Sequence, residues 1–382
     1  SAVGIGTLLE DGLGDTIRVS LTEEPEFEIP VAKNLVQRYA ARKKSEKILS
    51  VTIPKGISPF VYERRKTNNV INIGGHNVPR VIADLSMDQK IMPASFFSAG
   101  YTYSVPLDKW NLTDQASDYI YLGDNEIDFE IPGTLGLIYN SQIFVKLKNK
   151  TRAYPLFSGS EYFSAKEKSK ELNFVEVDID LLIQNSEFRI QNLDGTTVLI
   201  FETNSEHGMV EQRKMFYELM NLNSGIPVIV KRSYKDLSQD KFQLYSSTDC
   251  GGLFLDGFGD GIWISQMNCA PPQMVNATAF GILQATRTRI SKTEYISCPS
   301  CGRTLFDLQE TTAKIRSRTS HLKGVKIGIM GCIVNGPGEM ADADYGYVGT
   351  GVGKITLYKG KEVVTRNIDS EKAVDALINL IK

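Results

Sequence analysis

Three cysteines and one glutamate near the end of the chain have the spacing of metal ligands. Cys298 and Cys301 form a Cys-x-x-Cys pair, and Cys332 lies in a second loop that leads to Glu339. Thiolates at this spacing can face one metal, and a third thiolate from another loop completes most of a tetrahedral shell. Glu339 could then add a weaker oxygen ligand, which is typical of a metal corner that opens to a substrate.

Glycines surround the third cysteine. Gly331, Gly336 and Gly338 are expected to allow backbone turns that a residue with a Cβ cannot make, and Pro337 to stiffen the loop. The sequence therefore predicts a tightly turned loop that presents Cys332 and a carboxylate.

A Cys-x-x-Cys pair is also typical of a structural zinc site or of a redox pair. A zinc site would take its remaining ligand from Cys250 or Cys269, whereas a redox pair would leave Cys332 without a role. The competing class of function is therefore a noncatalytic interaction module that holds zinc or a cluster on an α/β scaffold.

The segments CPSCGRTLFDL, which starts at Cys298, and GCIVNGPGE, which contains Cys332, resemble the iron–sulfur domain of the 4-hydroxy-3-methylbut-2-en-1-yl diphosphate synthase family. This family acts in the methylerythritol phosphate route to isoprenoids. The resemblance implies a [4Fe–4S] cluster held by Cys298, Cys301, Cys332 and Glu339. It also implies reductive, ring-opening dehydroxylation of 2-C-methyl-D-erythritol 2,4-cyclodiphosphate to 4-hydroxy-3-methylbut-2-enyl diphosphate, with electrons from a reduced ferredoxin or flavodoxin.

Two residues of the second loop would then act on the substrate. Glu339 would be the ligand that gives way to it, and Asn335 would hydrogen-bond its reacting oxygen. The alternative for Asn335 is a purely structural one, a left-handed turn conformation that asparagine tolerates.

Composition limits the remaining classes of function. With 382 residues the chain can hold about two or three domains, and its net charge of −2 argues against nucleic-acid or membrane-surface binding. No apolar run reaches membrane-spanning length, and no signal-peptide pattern opens the sequence. The few, clustered cysteines indicate a reducing compartment, the cytoplasm or, in a plant, the plastid stroma. The sequence leaves the oligomeric state open, including a homodimer.

The start of the chain has the rhythm of an α/β barrel or a doubly wound sheet. Residues 1–12 predict a helix, Thr16 to Leu21 a short strand, and Ile29 to Tyr39 a second helix. Arg18 and Ser20 alternate to one face near the end of this strand, where barrel active sites gather. In the resembled family the segment is the last strand of a (β/α)8 barrel, and the matching Arg and Ser bind the substrate's diphosphate. The alternative is a surface arginine beside a helix-capping serine.

The long middle section alternates β-rich and helical stretches without a strong catalytic motif. Strands are expected at Val81–Leu85, Tyr119–Leu122, Phe174–Ile179, Val198–Phe201 and Val228–Val230. A long form of the resembled family carries an inserted domain here. We therefore predict three domains: residues 1–47, the end of the catalytic barrel; residues 48–290, an inserted barrel-like domain; and residues 291–382, the cluster domain.

One internal repeat supports a duplicated barrel. The segment from Leu8 to Ser20 is echoed by the segment from Leu253 to Ser265, and both share an Asp-Gly-x-Gly-Asp turn. Arg18 corresponds to Trp263 in the second copy. Since tryptophan cannot offer a charged fork to a phosphate, the insert is expected to have lost the chemistry and to act as a spacer.

The last section predicts a compact α/β unit. Strands are expected at residues 294–297 and 325–330, a helix from Leu305 to His321, and a hairpin and a final helix after residue 354. Thr304 and Asp307 could form a capping box. The run from Gly349 to Gly353 has the glycine spacing of a nucleotide loop, but it leads into the hairpin and not into a helix.

The resemblance also carries an expectation about the chain as given. One strand and two helices cannot close an eight-stranded barrel. Most of the family's catalytic barrel, with its acidic residue and most of its phosphate-binding arginines, has no counterpart in the sequence given. We therefore expect this chain alone to be reducible but catalytically inactive.

Overall fold

The structure is a computed structural model that describes residues 1–21, 25–40, 42, 51–58, 60–184, 189–298 and 302–382. Contacts between residues divide the chain into two compact units. One comprises residues 1–15 and 37–289, and the other comprises residues 16–36 and 290–382. The predicted division into three domains stays a prediction.

The first segment of the chain is helical, but its predicted strand does not form. Helix α1 spans Ala2–Glu10, a short 3-10 helix spans Pro25–Phe27, and α2 spans Glu28–Ala40. Residues 16–21 lie between them without strand pairing to any other described residue. The predicted strand at Thr16–Leu21 is therefore wrong for this structure. A strand exists only where a neighbour accepts its ladder hydrogen bonds, however well its residues alternate.

The first unit contains most of the elements. Its strands are β1 (Asn69–Val70), β2 (Ile73–Gly74), β3 (Arg80–Asp84), β4 (Tyr101–Ser104), β5 (Lys109–Leu112), β6 (Tyr119–Gly123), β7 (Gly136–Asn140), β8 (Ala153–Ser158), β9 (Asn173–Val177), β10 (Thr197–Phe201), β11 (Val228–Lys235) and β12 (Gly261–Met267). Its further helices are α3 (Ser141–Lys146), α4 (Gly159–Tyr162), α5 (Ile179–Gln184), α6 (Gly208–Asn221), α7 (Gln239–Leu255) and α8 (Pro272–Ala285), with 3-10 helices at Pro93–Ala99, Val105–Leu107 and Ile190–Asn192.

Eight of these strands form a closed parallel barrel. The order around it is β3, β6, β7, β8, β9, β10, β11 and β12, and β12 pairs with β3 to close the ring. Closure leaves no exposed sheet edge, and the helices that follow the strands cover the outside. The predicted fold class, an α/β protein with an inserted barrel, is confirmed.

Alternation along the strands separates the two faces of the barrel. Val175, Leu199 and Val228 belong to a core cluster that also contains residues of α6, α7 and α8, so they point outward to the helices. Their strand neighbours Phe174 and Ile229 belong to a second cluster without helical residues, which fills the interior. Two buried faces on each strand are typical of parallel sheets.

The second unit is built on a five-stranded sheet. Its elements are β13 (Glu294–Ser297), α9 (Leu308–Thr319), β14 (Lys326–Met330), α10 (Gly336–Glu339), β15 (Tyr345–Gly351), β16 (Lys354–Lys359), β17 (Glu362–Asp369) and α11 (Ser370–Ile381). Strands β13, β14 and β15 are parallel, and β16 and β17 continue the sheet antiparallel. Apolar residues of α9 and α11 pack against the sheet in one core cluster.

The start of α9 differs from the prediction. The helix begins at Leu308, and Asp307 caps it by accepting a hydrogen bond from the Glu310 backbone N–H at 2.8 Å. The predicted start at Leu305 is therefore three residues early. The Leu305 N–H instead donates to the Gly331 carbonyl at 3.1 Å, so this residue belongs to the loop that meets Cys332.

No helix in the described part of the chain is both long enough and apolar enough to cross a membrane.

Candidate functional site

Two of the predicted cysteine ligands lie at one edge of the C-terminal sheet. Cys298 follows the last residue of β13, and Cys332 follows β14 after Gly331. The two strands are parallel neighbours, with Ser297 opposite Ile329. Since the carboxyl ends of parallel strands meet at the same edge, the topology brings the two cysteine loops together.

A hydrogen bond joins the two loops directly. The Gly331 backbone N–H donates to the Cys298 Sγ atom at 3.1 Å. Cys298 and Cys332 are both half-buried. A thiolate that accepts an N–H at a partly open edge of a sheet is suited to bind a metal cluster, because such bonds stabilise its charge while leaving it accessible.

The third predicted cysteine, Cys301, lies outside the described residues. Within the part that is described, no three His, Cys, Asp or Glu side chains converge in a group that could hold a metal ion. The structure thus brings the loops of Cys298 and Cys332 together but does not join Glu339 to them. Thiol donors at one sheet edge fit an iron–sulfur cluster, since soft sulfur ligands favour such clusters. The full set of four ligands stays a prediction.

The loop after Cys332 forms one helical turn. The Asn335 carbonyl accepts hydrogen bonds from the backbone N–H groups of Gly338 and Glu339, both at 3.0 Å. The φ angle of Asn335 is −109°, so the left-handed conformation considered for it is wrong. The side chains of Asn335 and Glu339 are exposed, and the Asn335 side chain makes no capping hydrogen bond.

The glycines of this loop have a different role from the predicted one. Gly331, Gly336 and Gly338 all lack a positive φ angle, so none supplies a left-handed turn. At Gly331 a Cβ atom would lie 2.9 Å from the Thr304 side chain, and at Gly336 it would lie 2.7 Å from the Met330 Cβ. These two glycines are therefore needed for close approach, whereas Gly338 has open space around it.

The predicted diphosphate ligands are open to solvent. Arg18 and Ser20 are exposed, while Val19 between them is buried at 5 % exposure. Neither side chain makes a hydrogen bond or an ion pair within the described ranges of the chain. Both side chains are accessible to a ligand, and their role in binding a diphosphate stays a prediction.

The two cysteines considered for a zinc site are not available to a metal. Cys250 lies on α7 with no exposure, in the outer core of the barrel, and burial raises the pKa of its thiol. Cys269 is buried, its Sγ donates to the Met267 carbonyl at 3.3 Å, and the same atom accepts the Leu237 N–H at 3.4 Å. A zinc site that uses either residue is therefore not supported.

Comparison with known proteins shows what the chain is similar to. Residues 294–382 match the model of the GcpE protein C-terminal domain, and residues 1–33 match the GcpE TIM-barrel domain. Over its whole length the chain is 45% identical to 4-hydroxy-3-methylbut-2-en-1-yl diphosphate synthase (flavodoxin) of Parabacteroides distasonis and 43% identical to that of Bacteroides thetaiotaomicron, covering 58% of each. The protein of the same name from Leptospira interrogans is 38% identical and is covered over 60% of its length.

The chain is similar to 4-hydroxy-3-methylbut-2-en-1-yl diphosphate synthases along its whole length. It spans 58% of the length of the curated relatives from Parabacteroides and Bacteroides that it matches. The match extends over the whole chain and so includes residues 37–289, which contain the barrel.

The second copy of the repeat uses its side chains for hydrogen bonds within the barrel. Trp263 is fully buried, and its Nε1–H donates to Asp84 Oδ2 at 3.2 Å. The Ser265 hydroxyl donates to the same oxygen at 2.8 Å. Trp263 and Ser265 correspond to Arg18 and Ser20 in the first copy. Their donors are therefore already bound to a carboxylate of the protein itself.

A charged group that the sequence analysis missed lies in the same barrel, with Glu176 on β9, Lys231 on β11 and Glu202 directly after β10. The Lys231 ammonium lies 2.5 Å from Glu176 and 3.1 Å from Glu202, and 4.5 Å from the centre of the Trp263 ring. Burial, then the hydrogen bond with Glu202, raises the pKa of Glu176 to about 6. These residues are far apart in sequence and carry no motif. Only their positions on, or directly after, neighbouring barrel strands could have indicated them.

Proposed function

We propose that this chain supplies the cluster-binding part and a portion of the diphosphate site of a 4-hydroxy-3-methylbut-2-en-1-yl diphosphate synthase. The reaction is the reductive, ring-opening dehydroxylation of 2-C-methyl-D-erythritol 2,4-cyclodiphosphate. The observation that carries the proposal is the hydrogen-bonded pair of cysteine loops at one sheet edge, in a chain that matches synthases along its whole length.

Cys298, Cys301, Cys332 and Glu339 are the proposed ligands of a [4Fe–4S] cluster. When bound, such a cluster supplies one-electron transfer and a Lewis-acidic iron. The chain's own contribution is to preset the thiols. Parallel strands β13 and β14 fix the two loops, and the Gly331 N–H holds the Cys298 sulfur before any metal arrives. The exposed Glu339 is the weaker and exchangeable donor.

The remaining proposed residues act on the substrate. Arg18 would bind the diphosphate through its guanidinium fork, and Ser20 would add a hydroxyl donor, so that a remote group positions the reacting carbon. The exposed Asn335 amide would donate to the substrate's hydroxyl oxygen. The electron donor is proposed to be the flavodoxin for which the relatives are named, or a ferredoxin. The inserted barrel is proposed as a spacer.

Iron uptake tests the proposal. The chain is purified without oxygen, reconstituted with iron and sulfide, and analysed for iron, sulfide and zinc together with its electron paramagnetic resonance spectrum. We expect four irons and four sulfides per chain, as a [4Fe–4S] cluster requires. Stoichiometric zinc without iron would support the noncatalytic zinc module instead and would overturn the proposed function.

The role of Glu339 is tested by Glu339→Ala. Three thiolates can still hold the cluster, so most of the iron should remain, while the resonance spectrum changes and turnover is lost in a protein of the relatives' full length. Asp342→Ala is the matched control, because Asp342 is an exposed carboxylate on the same segment. Equal spectra for the two variants would remove Glu339 from the ligand set.

A further inference from the structure

The run from Gly349 to Gly353 resembled a nucleotide loop in sequence but has another position in the fold. It ends β15 and leads through a turn into β16, which pairs antiparallel with it. No helix follows whose N-terminus could receive a phosphate. Its first glycine lies instead at the sheet edge where the cysteine loops meet, because β15 is the parallel neighbour of β14.

Gly349 lies directly against the residue that precedes Cys332. A Cβ atom at Gly349 would lie 2.5 Å from the Gly331 carbonyl oxygen and 3.2 Å from its carbonyl carbon. Backbone atoms of a sheet cannot move aside for a methyl group, whereas the end of a flexible side chain can. Only glycine therefore allows the two strand ends to approach this closely.

Gly331 in turn holds both ends of the first cysteine loop. Its N–H donates to the Cys298 Sγ at 3.1 Å, and its carbonyl accepts the Leu305 N–H at 3.1 Å. Its Cα faces the Thr304 side chain so closely that a Cβ would lie 2.9 Å away. The Gly331 residue is thus held between β15 and the loop, and Cys332 is the next residue in the chain.

We propose that Gly349 is a positioning residue for the cysteine site. By allowing β15 to lie against the Gly331 peptide, it keeps the Gly331 N–H on the Cys298 sulfur and fixes the start of the Cys332 loop. The inference rests on the proposed function, in which this sulfur is a cluster ligand. An N–H that donates to a ligand sulfur stabilises the more negative, reduced state and so raises the reduction potential.

Gly349→Ala tests the inference, with Gly351→Ala as its matched control. Both variants add one methyl group to the same strand, but a Cβ at Gly351 meets only Lys354 side-chain atoms, the nearest at the ordinary contact distance of 3.7 Å. We expect Gly349→Ala to disfavour cluster reduction by about tenfold, the usual effect of one hydrogen bond to a charged group. For one electron this is a shift of about 59 mV to more negative potential. Gly351→Ala should keep the wild-type potential.

A second measurement needs no cluster. In the metal-free chain, hydrogen exchange at the Gly331 amide should be faster in Gly349→Ala than in the wild type and in Gly351→Ala. Wild-type exchange and wild-type potential in Gly349→Ala would overturn the inference. A wild-type chain that binds no iron would overturn the proposed function, while the exchange measurement would still decide the role of Gly349.

If Gly349→Ala does not fold, a second pair of variants tests whether displacing the Gly331 peptide changes the reduction potential. Gly331→Ala brings a methyl group 2.9 Å from Thr304 Cγ2 and Oγ1, so it should displace the same peptide and lower the potential. Thr304→Ala added to it removes both atoms and leaves the Thr304 Cβ at 3.2 Å, so the double variant should recover most of the potential. A Gly331→Ala chain with the wild-type potential, or a double variant without recovery, would contradict the proposal.

Discussion

The two copies of the repeat place equivalent residues in opposite environments. In the first copy Arg18 and Ser20 are exposed and make no side-chain hydrogen bond within the described residues. In the second copy Trp263 and Ser265 are partly or fully buried, and both donate to Asp84. Similar sequences thus give an open pair of donors in one place and a satisfied internal network in the other.

The difference follows from strand pairing. Residues of the second copy form β12, which pairs with β11 on one side and β3 on the other, so its inward side chains meet those of neighbouring strands. Residues 16–21 of the first copy pair with no described strand. A side chain is satisfied internally only where the fold brings a partner, and an unsatisfied donor at the surface remains available to a ligand.

The largest effect on stability is expected for Trp263→Ala. The ring is fully buried, and its centre lies 4.7 Å from the centre of the Tyr121 ring. Its Nε1–H donates a hydrogen bond to Asp84. Loss of a buried tryptophan should lower the free energy of unfolding by about 3–5 kcal/mol. Urea unfolding followed by fluorescence measures this loss, because Trp110, the other tryptophan of the chain, also lies in the barrel unit.

Arg18→Ala is the control at the equivalent position. Its exposed side chain should change the free energy of unfolding by less than about 0.5 kcal/mol. If the two variants lost equal stability, the two copies would not differ in packing as the structure indicates.

A smaller effect is expected from the pH dependence of the barrel. The pKa of Glu176 is raised from 4.5 to about 6 in the folded state, first by burial and then by its hydrogen bond with Glu202. A raised pKa adds stability that is fully present below pH 4.5 and is lost as the pH rises through 6. Glu176→Gln removes this titration, so its unfolding free energy should not fall over that range, whereas that of the wild type falls by on the order of 1 kcal/mol.

A control variant and the behaviour of Glu202 separate the titration of Glu176 from that of other carboxylates. The exposed Glu171 offers a control, since Glu171→Gln should keep the wild-type pH dependence. Glu202 contributes in another range. Burial raises its pKa, but bonds with Glu176 and Lys231 together lower it, so its stabilisation is lost only below its ordinary value of 4.5. A Glu176→Gln chain that still loses stability between pH 4.5 and 6 would place the titrating group elsewhere.

Sequence reasoning found the elements whose signal is local. The β-rich runs Val81–Leu85 and Val198–Phe201 predicted β3 and β10, because each is a short segment whose residue types favour a strand. Strand β8 was missed because Pro155 interrupts its pattern, although a proline can occupy a strand where its missing N–H is not needed.

The candidate site was predictable in residue type but not in geometry. The cysteine spacing indicated a metal site, and parallel strands do bring Cys298 and Cys332 to one edge. The glycines were misread, because a sequence does not distinguish a positive φ from a close approach by another strand. Gly349 and the Lys231 group were missed for the same reason, since their partners are distant along the chain and only topology brings them together.

The smallest change in stability is expected when Arg18 is replaced by tryptophan, its counterpart in the second copy. The side chain at this position is exposed, so the free energy of unfolding should change by less than about 0.5 kcal/mol. Tryptophan cannot present a charged fork to a phosphate, whereas lysine keeps a point charge. In a protein of the relatives' full length, Arg18→Trp should therefore lower kcat/KM for the cyclic diphosphate by roughly tenfold or more, the usual loss of charged hydrogen bonds, and Arg18→Lys should lower it less. Unchanged kcat/KM in Arg18→Trp would mean that the first copy does not bind the diphosphate, and the contrast between the copies would then be one of packing alone.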